Sequence, residues 1–255
     1  MKRLSWVQWV IGLALCAFLV IAGGAGERAE AANLSWDFDP DTGTLVISGS
    51  GAMDDYKQTT SGAPPWNSVK GDVKMVTIKS GVTSIGDFAF AQCAQLTYIS
   101  LPDGITRIGD YAFYGCESLG DIVLPEGTKS IGYEAFRLCG ALSIIALPNS
   151  LTELGEAAFY ECAGLGIVYM SEGVSRIGAE AFGGSPKVRI MCAPLSVARQ
   201  YAIDNGLDYF SNGWTWTHRS GQLIFRGYGD MPDSIKTDDE DTVPWREYRD
   251  SARTV

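Results

Sequence analysis

The chain has 255 residues, 46% hydrophobic and 20% charged, with 30 acids against 20 bases and a net charge of −10. Hydrophobicity at that level is too high for a disordered protein, and an isoelectric point near 4.6 argues against a phosphate backbone as the main partner. The one histidine, His218, excludes a multi-histidine metal site and most histidine-based triads.

Residues 1–31 carry the features of a secretory signal segment. Lys2 and Arg3 form a positive start, an apolar run from Trp6 to about Ala22 is broken only by Gln8 and Gly12, and Ala29-Glu30-Ala31 fits a cleavage site. The expectation is export with cleavage after Ala31. The alternative is an uncleaved signal anchor, the only route by which this chain would engage a membrane. Cys16 does not suit lipidation, because Leu15 stands where a small residue is needed.

Residues 32–75 are expected to form a small β module that caps the array which follows. Trp36, the stretch Gly43-Thr-Leu45-Val-Ile-Ser-Gly49-Ser-Gly51-Ala-Met53 and Pro65-Trp66 mark it out. The acids Asp37, Asp39 and Asp41 suggest a calcium loop, but Gly43 falls one position late and Ser48 stands where a bidentate Glu is required. A hairpin turn is the better reading.

Residues 76–210 are expected to form one domain, in which a period of 23 residues governs residues 76–192. Ile-Gly or Leu-Gly pairs begin at Ile85, Ile108, Ile131, Leu154 and Ile177, evenly spaced. An Ala-Phe pair follows each, ending at Phe90, Phe113, Phe136, Phe159 and Phe182. Next come Cys93, Cys116, Cys139 and Cys162, with Ser185 closing the series, then Leu96, Leu119, Leu142, Leu165 and Val188. This periodicity predicts a solenoid, since one unit cannot bury its Leu, Ile, Phe and Cys alone. Within a unit it predicts a short strand over Leu119 to Leu124, a second extended piece such as Ile105 to Ile108, and a helical turn that puts Phe113 and Cys116 on one buried side. The four in-phase cysteines suit a column of buried free thiols. Parallel side chains meet badly for disulfides, and no C-x-x-C pairs supply a metal site.

Two columns of the first strand should point outward. The first runs Tyr98, Asp121, Ile144, Ile167 and Ile190; the second runs Ser100, Val123, Ala146, Tyr169 and Cys192. An apolar outward strip marks a protein-binding surface or a face covered by a neighbouring module. Its candidate residues are Tyr98, Asp121, Val123, Ile144, Ile167, Tyr169 and Ile190.

Residues 211–255 repeat the opening module. Trp216, Gly221-Gln-Leu223-Ile-Phe-Arg-Gly227-Tyr-Gly229-Asp-Met231 and Pro244-Trp245 match the first copy, and the second copy is expected to be truncated relative to a longer parent. The acidic run Asp238-Asp-Glu-Asp241 is a solvated loop on this reading.

The IG-x-x-AF-x-x-C-x-x-L frame of units such as Leu101 to Leu119 resembles the BspA-type leucine-rich repeat family. The resemblance implies an α/β fold: a right-handed leucine-rich-repeat solenoid of short strands and short helical turns, flanked by β-hairpin capping modules and closed by a helical end-piece over residues 193–210. It further implies a secreted or cell-surface, non-catalytic protein that mediates adhesion and protein–protein contacts, host matrix proteins among its candidate ligands. The alternative is a structural spacer presenting a downstream domain. Neither cofactor nor metal is expected.

Overall fold

The computed structural model describes residues 33–211, together with the backbone of the strands Trp214–Arg219 and Gln222–Gly227. Residues 1–31, where a signal segment is expected, and residues 228–255, with Pro244-Trp245 and the Asp238–Asp241 run, lie outside the described residues. The described chain opens with an antiparallel hairpin of β1 (Asn33–Asp39) and β2 (Thr44–Ala52), in which Trp36 faces Ile47 and Phe38 faces Leu45. Its turn is tied by Asp39, whose carboxylate accepts from the Asp41 amide at 2.9 Å and the Thr42 hydroxyl at 2.8 Å. Those bonds hold the Asp39 carboxyl below its usual range, the Thr42 hydroxyl contributing most. A turn thus accounts for the acid that the calcium reading would have used.

Strand β2 serves as first rung for two faces of the solenoid. Thr44 to Ile47 pair in parallel with β3 (Met75–Ile78), while Gly51 and Ala52 pair with β4 (Val82–Ile85). The chain can bend between these stretches because Gly49 and Gly51 take φ of 126° and 101°. One face continues through β5 (Tyr98–Ser100) and β7 (Asp121–Ile122), where its ladder stops. It resumes as a separate four-stranded sheet of β9 (Ile144–Ala146), β11 (Ile167–Met170), β13 (Arg189–Cys192) and β14 (Asp208–Phe210). The other face is an unbroken ladder from β4 through β6 (Arg107–Ile108), β8 (Ser130–Ile131), β10 (Glu153–Leu154) and β12 (Arg176–Ile177).

The segment between the two strands of successive units is not helical, contrary to the expectation from the sequence. Every second amide donates to the following unit, as Phe113 does to Ala135 O at 2.7 Å, Phe136 to Ala158 O at 2.8 Å and Phe159 to Ala181 O at 2.7 Å, while amides between them close turns three residues back, as Tyr114 does to Tyr111 O at 3.1 Å. Tyr111, Glu134, Ala157 and Glu180 hold φ near +50°, and a second left-handed position four residues later recurs at Gly115, Leu138, Glu161 and Gly184. A left-handed residue at every fourth place ends any helix before it starts. Such turns keep Phe and Cys three apart on one side, which is why the sequence pattern alone suggests a helix. The described solenoid is therefore predominantly β, with one α-helix, α1 (Val197–Asp204), in place of the α/β description.

Close stacking explains the glycine of each Ile-Gly pair. A Cβ on Gly109 would lie 2.6 Å from the Asp87 amide nitrogen, and one on Gly132 would lie 2.7 Å from that of Asp110. Inside, Phe90, Phe113, Phe136, Phe159 and Phe182 stack at centroid distances of 5.0 to 5.5 Å. Trp66 extends the stack at 5.7 Å and donates from its indole to Ala89 O at 2.8 Å, while Tyr201 of α1 closes the far end edge-on to Phe182. The cysteines form the expected inward column, all free and buried. The thiols of Cys116, Cys139 and Cys162 each donate to the phenylalanine carbonyl of the preceding unit, as Cys116 does to Phe90 O at 3.2 Å and Cys162 to Phe136 O at 3.0 Å. Ser185 reproduces that bond to Phe159 O at 2.9 Å.

Candidate functional site

The outward columns lie on the face carried by β3, β5, β7, β9, β11, β13 and β14. Parallel registers set the first as Met75, Tyr98 and Asp121, then Ile144, Ile167, Arg189 and Asp208. The second runs Thr77 and Ser100, then Ala146, Tyr169, Met191 and Phe210, with Val123 following Asp121 and Ile122 at the end of β7. Residues at these positions alternate with an inward series of Val76, Ile99, Ile122, Ile145, Val168 and Ile190, every one buried.

The face divides where its ladder breaks. On the N-terminal side Met75 is 39% exposed, Tyr98 49% and Val123 51%, with Asp121 also exposed beside them. On the C-terminal side Ile167 and Met191 are 8% exposed and Tyr169 only 1%. These three make a hydrophobic cluster of their own, separate from the main core, with Ile144, Ala146 and Phe210 packed against it. Burial pushes the Tyr169 hydroxyl up to about 12. Ile167 and Tyr169 thus keep the outward register expected from the sequence but are not free surface. Tyr98, Asp121 and Val123 are.

Ile190 and Cys192 do not belong to the outward columns at all. Between β9 and β11 the register advances by one full repeat, Ile144 to Ile167, but from β11 to β13 it falls a single position short, Ile167 to Arg189. A slip of that size exchanges the two faces of a strand. It places Arg189 outside, 4.0 Å from the Asp208 carboxylate, and Ile190 inside under Val168. Cys192 is paired with Met170 and buried, so the outward position expected for it is wrong as well. The sequence reading omits Met75, although it stands one repeat before Tyr98 in the same column.

The opposite face offers a groove of about 390 Å³ lined in part by Arg107, Asp110, Tyr133, Glu153, Glu156 and Arg176. Most of its charges serve the stacking. Arg107 bridges Asp55 and Asp87, Arg176 meets Glu153 at 2.8 Å, and Asp110 accepts from the Tyr133 amide at 2.8 Å. These contacts tie rungs together, so the open half of the first face is the better candidate for recognition.

Comparison with known proteins agrees with this architecture. Residues 69–189 match the model of the BspA type leucine rich repeat region in six copies, one more than the five units in phase in the sequence. Val73 and Val76, one repeat before Leu96 and Ile99, fall inside the matched residues, and Trp66 just before them stacks on Phe90. A leucine rich cell surface protein from Faecalibacterium prausnitzii is 21% identical with a TM-score of 0.50, over 79% of this chain and 59% of that one. The leucine-rich repeat protein of T. pallidum is 24% identical with a TM-score of 0.48, over 73% of this chain and 98% of that one. One from Bacteroides ovatus is 25% identical with a TM-score of 0.47, over 66% and 49%. No curated protein matches the chain.

Proposed function

Because the chain belongs to the BspA-type leucine-rich repeats through residues 69–189, we propose that it is an exported, non-catalytic module that binds protein partners at a cell surface through the open half of its outer face. One observation carries this reading: Met75, Tyr98 and Val123 stand exposed on three successive rungs of one face, with Asp121 exposed beside them. Large side chains grouped in this way are what a partner buries, tyrosine above all. The positive start, apolar run and Ala29-Glu30-Ala31 of residues 1–31 support export, and the cell-surface relative from Faecalibacterium supports that location.

Host matrix proteins are the partners to test. In a capture assay against a panel of them, Tyr98→Asp with Val123→Asp should abolish retention, while Lys129→Asp on the opposite face should leave it unchanged. Unaltered capture by the double variant would place the interface elsewhere. A second reading, an array that spaces or presents another domain, draws support from the second β module, whose hairpin repeats the one that opens the array. Failure of every panel member to bind would favour it.

A further inference from the structure

The buried cluster on the C-terminal half of the outer face needs a cover. Ile167, Tyr169 and Met191 occupy neighbouring strands of one sheet. Residues side by side at a strand spacing of about 4.8 Å shield each other's flanks, not their tops. A further segment must therefore lie over them.

The chain itself supplies a candidate. Both ends of the inner core are already closed. Leu34 and Phe38 of β1 pack against it at one end, and at the other Ala198 and Ala202 of α1 are buried with Tyr201 against Phe182. The next element, the hairpin of β15 (Trp214–Arg219) and β16 (Gln222–Gly227), begins shortly after Phe210, which shares a column with Tyr169. Its register pairs Trp216 with Phe225, Trp214 with Gly227 and His218 with Leu223. Cross-strand partners share a face, so the register assigns Trp214, Trp216, His218, Leu223 and Phe225 to one side of the ribbon, and Thr215, Thr217, Ile224 and Arg226 to the other. In the first hairpin the equivalent side carries Leu34, Trp36, Phe38, Leu45 and Ile47, and Leu45 and Ile47 lie in the core.

We propose that the β15–β16 hairpin lies over Ile167, Tyr169 and Met191, on the side of the ribbon to which its register assigns positions 214, 216 and 225, so that one copy of the module caps the core and the other closes half of the outer face. The intramolecular contact confines partners to the rungs before β9. It stands independently of what those partners are.

Methionine oxidation tests it in the full chain. With hydrogen peroxide and peptide mass spectrometry, Met191 should oxidise at least about tenfold more slowly than the exposed Met75. Trp216→Asp with Phe225→Asp should bring Met191 to within about twofold of Met75, whereas Ile224→Asp, on the other side of the ribbon, should preserve its protection. Three results would each overturn the proposal: rapid oxidation of Met191 in the unaltered chain, protection surviving in the double variant, or equal loss in both variants.

Discussion

Strands β5 and β7 and strands β9 and β11 are built on the same repeat template, yet they present opposite surfaces. Their inward residues match: Leu96, Leu119, Leu142 and Leu165 fill one column, and Cys93, Cys116, Cys139 and Cys162 another. Their outward residues differ. Tyr98, Asp121 and Val123 stand exposed, whereas Ile167 and Tyr169 lie in a second apolar cluster with Met191. The hydrogen-bonded ladder breaks between the two groups. The lesson is that stacking constrains only the inside of a repeat, leaving outward positions to take separate tasks.

If the halves share one interior, the four repeat thiols should act alike across the break. Burial raises Cys93 and Cys162 to about 12 and lifts Cys116 and Cys139 well above the 9.0 of a free thiol. A raised folded-state value stabilises fully below the unfolded value, and that contribution is lost as pH climbs toward the folded one. Stability should therefore fall from about pH 9 upward, by on the order of 1 kcal/mol per thiol at pH 10 and several times that for the column. Denaturant melts at pH 7 and pH 10 would measure it. Cys139→Ser should remove about a quarter of the loss at a neutral-pH cost of about 1 kcal/mol, because Ser185 already fills this column with a hydroxyl bonded to Phe159 O. A flat profile would mean the thiols are not sealed.

The next effect in size also tests the shared interior. Phe136 lies between Phe113 at 5.1 Å and Phe159 at 5.0 Å, at the junction of the two halves. Phe136→Ala should cost about 3–5 kcal/mol and loosen both halves together in hydrogen exchange. Loosening of one half alone would show that the ladder break divides the core as well as the surface.

Outward tyrosines sharpen the contrast directly. Tyr169→Asp puts a charge into a buried apolar cluster and should cost about 3–5 kcal/mol, while Tyr98→Asp should change stability by less than about 0.5 kcal/mol. Thermal melts distinguish them, and equal costs would erase the comparison. Smallest is a backbone effect. Leu138 holds φ of 64° where Gly115 and Gly184 occupy the same column, so Leu138→Gly should stabilise by up to about 1 kcal/mol in a chemical melt.

Much of the interior was legible in the sequence because its columns repeat at one spacing. Phe90 to Phe182 and Cys93 to Cys162 announced both the stack and the buried thiols. What misled was local backbone geometry. Tyr111 and Glu134 sit in left-handed turns whose side-chain spacing imitates a helix. The slip at Arg189 was hidden because Val188, Ile190 and Met191 are all apolar and leave either register acceptable. Outward chemistry was readable at Tyr98, Asp121 and Val123, whereas the burial of Tyr169 depends on a segment outside the repeat and leaves no mark on its period.

Tyrosine nitration of the full chain under native conditions tests the division of the outer face most directly, with the peptides carrying Tyr98 and Tyr169 compared by mass spectrometry. Tyr98, 49% exposed, should be nitrated readily, and Tyr169, 1% exposed, should be modified only after denaturant is added. Equal modification of the two tyrosines in the native chain would contradict the account.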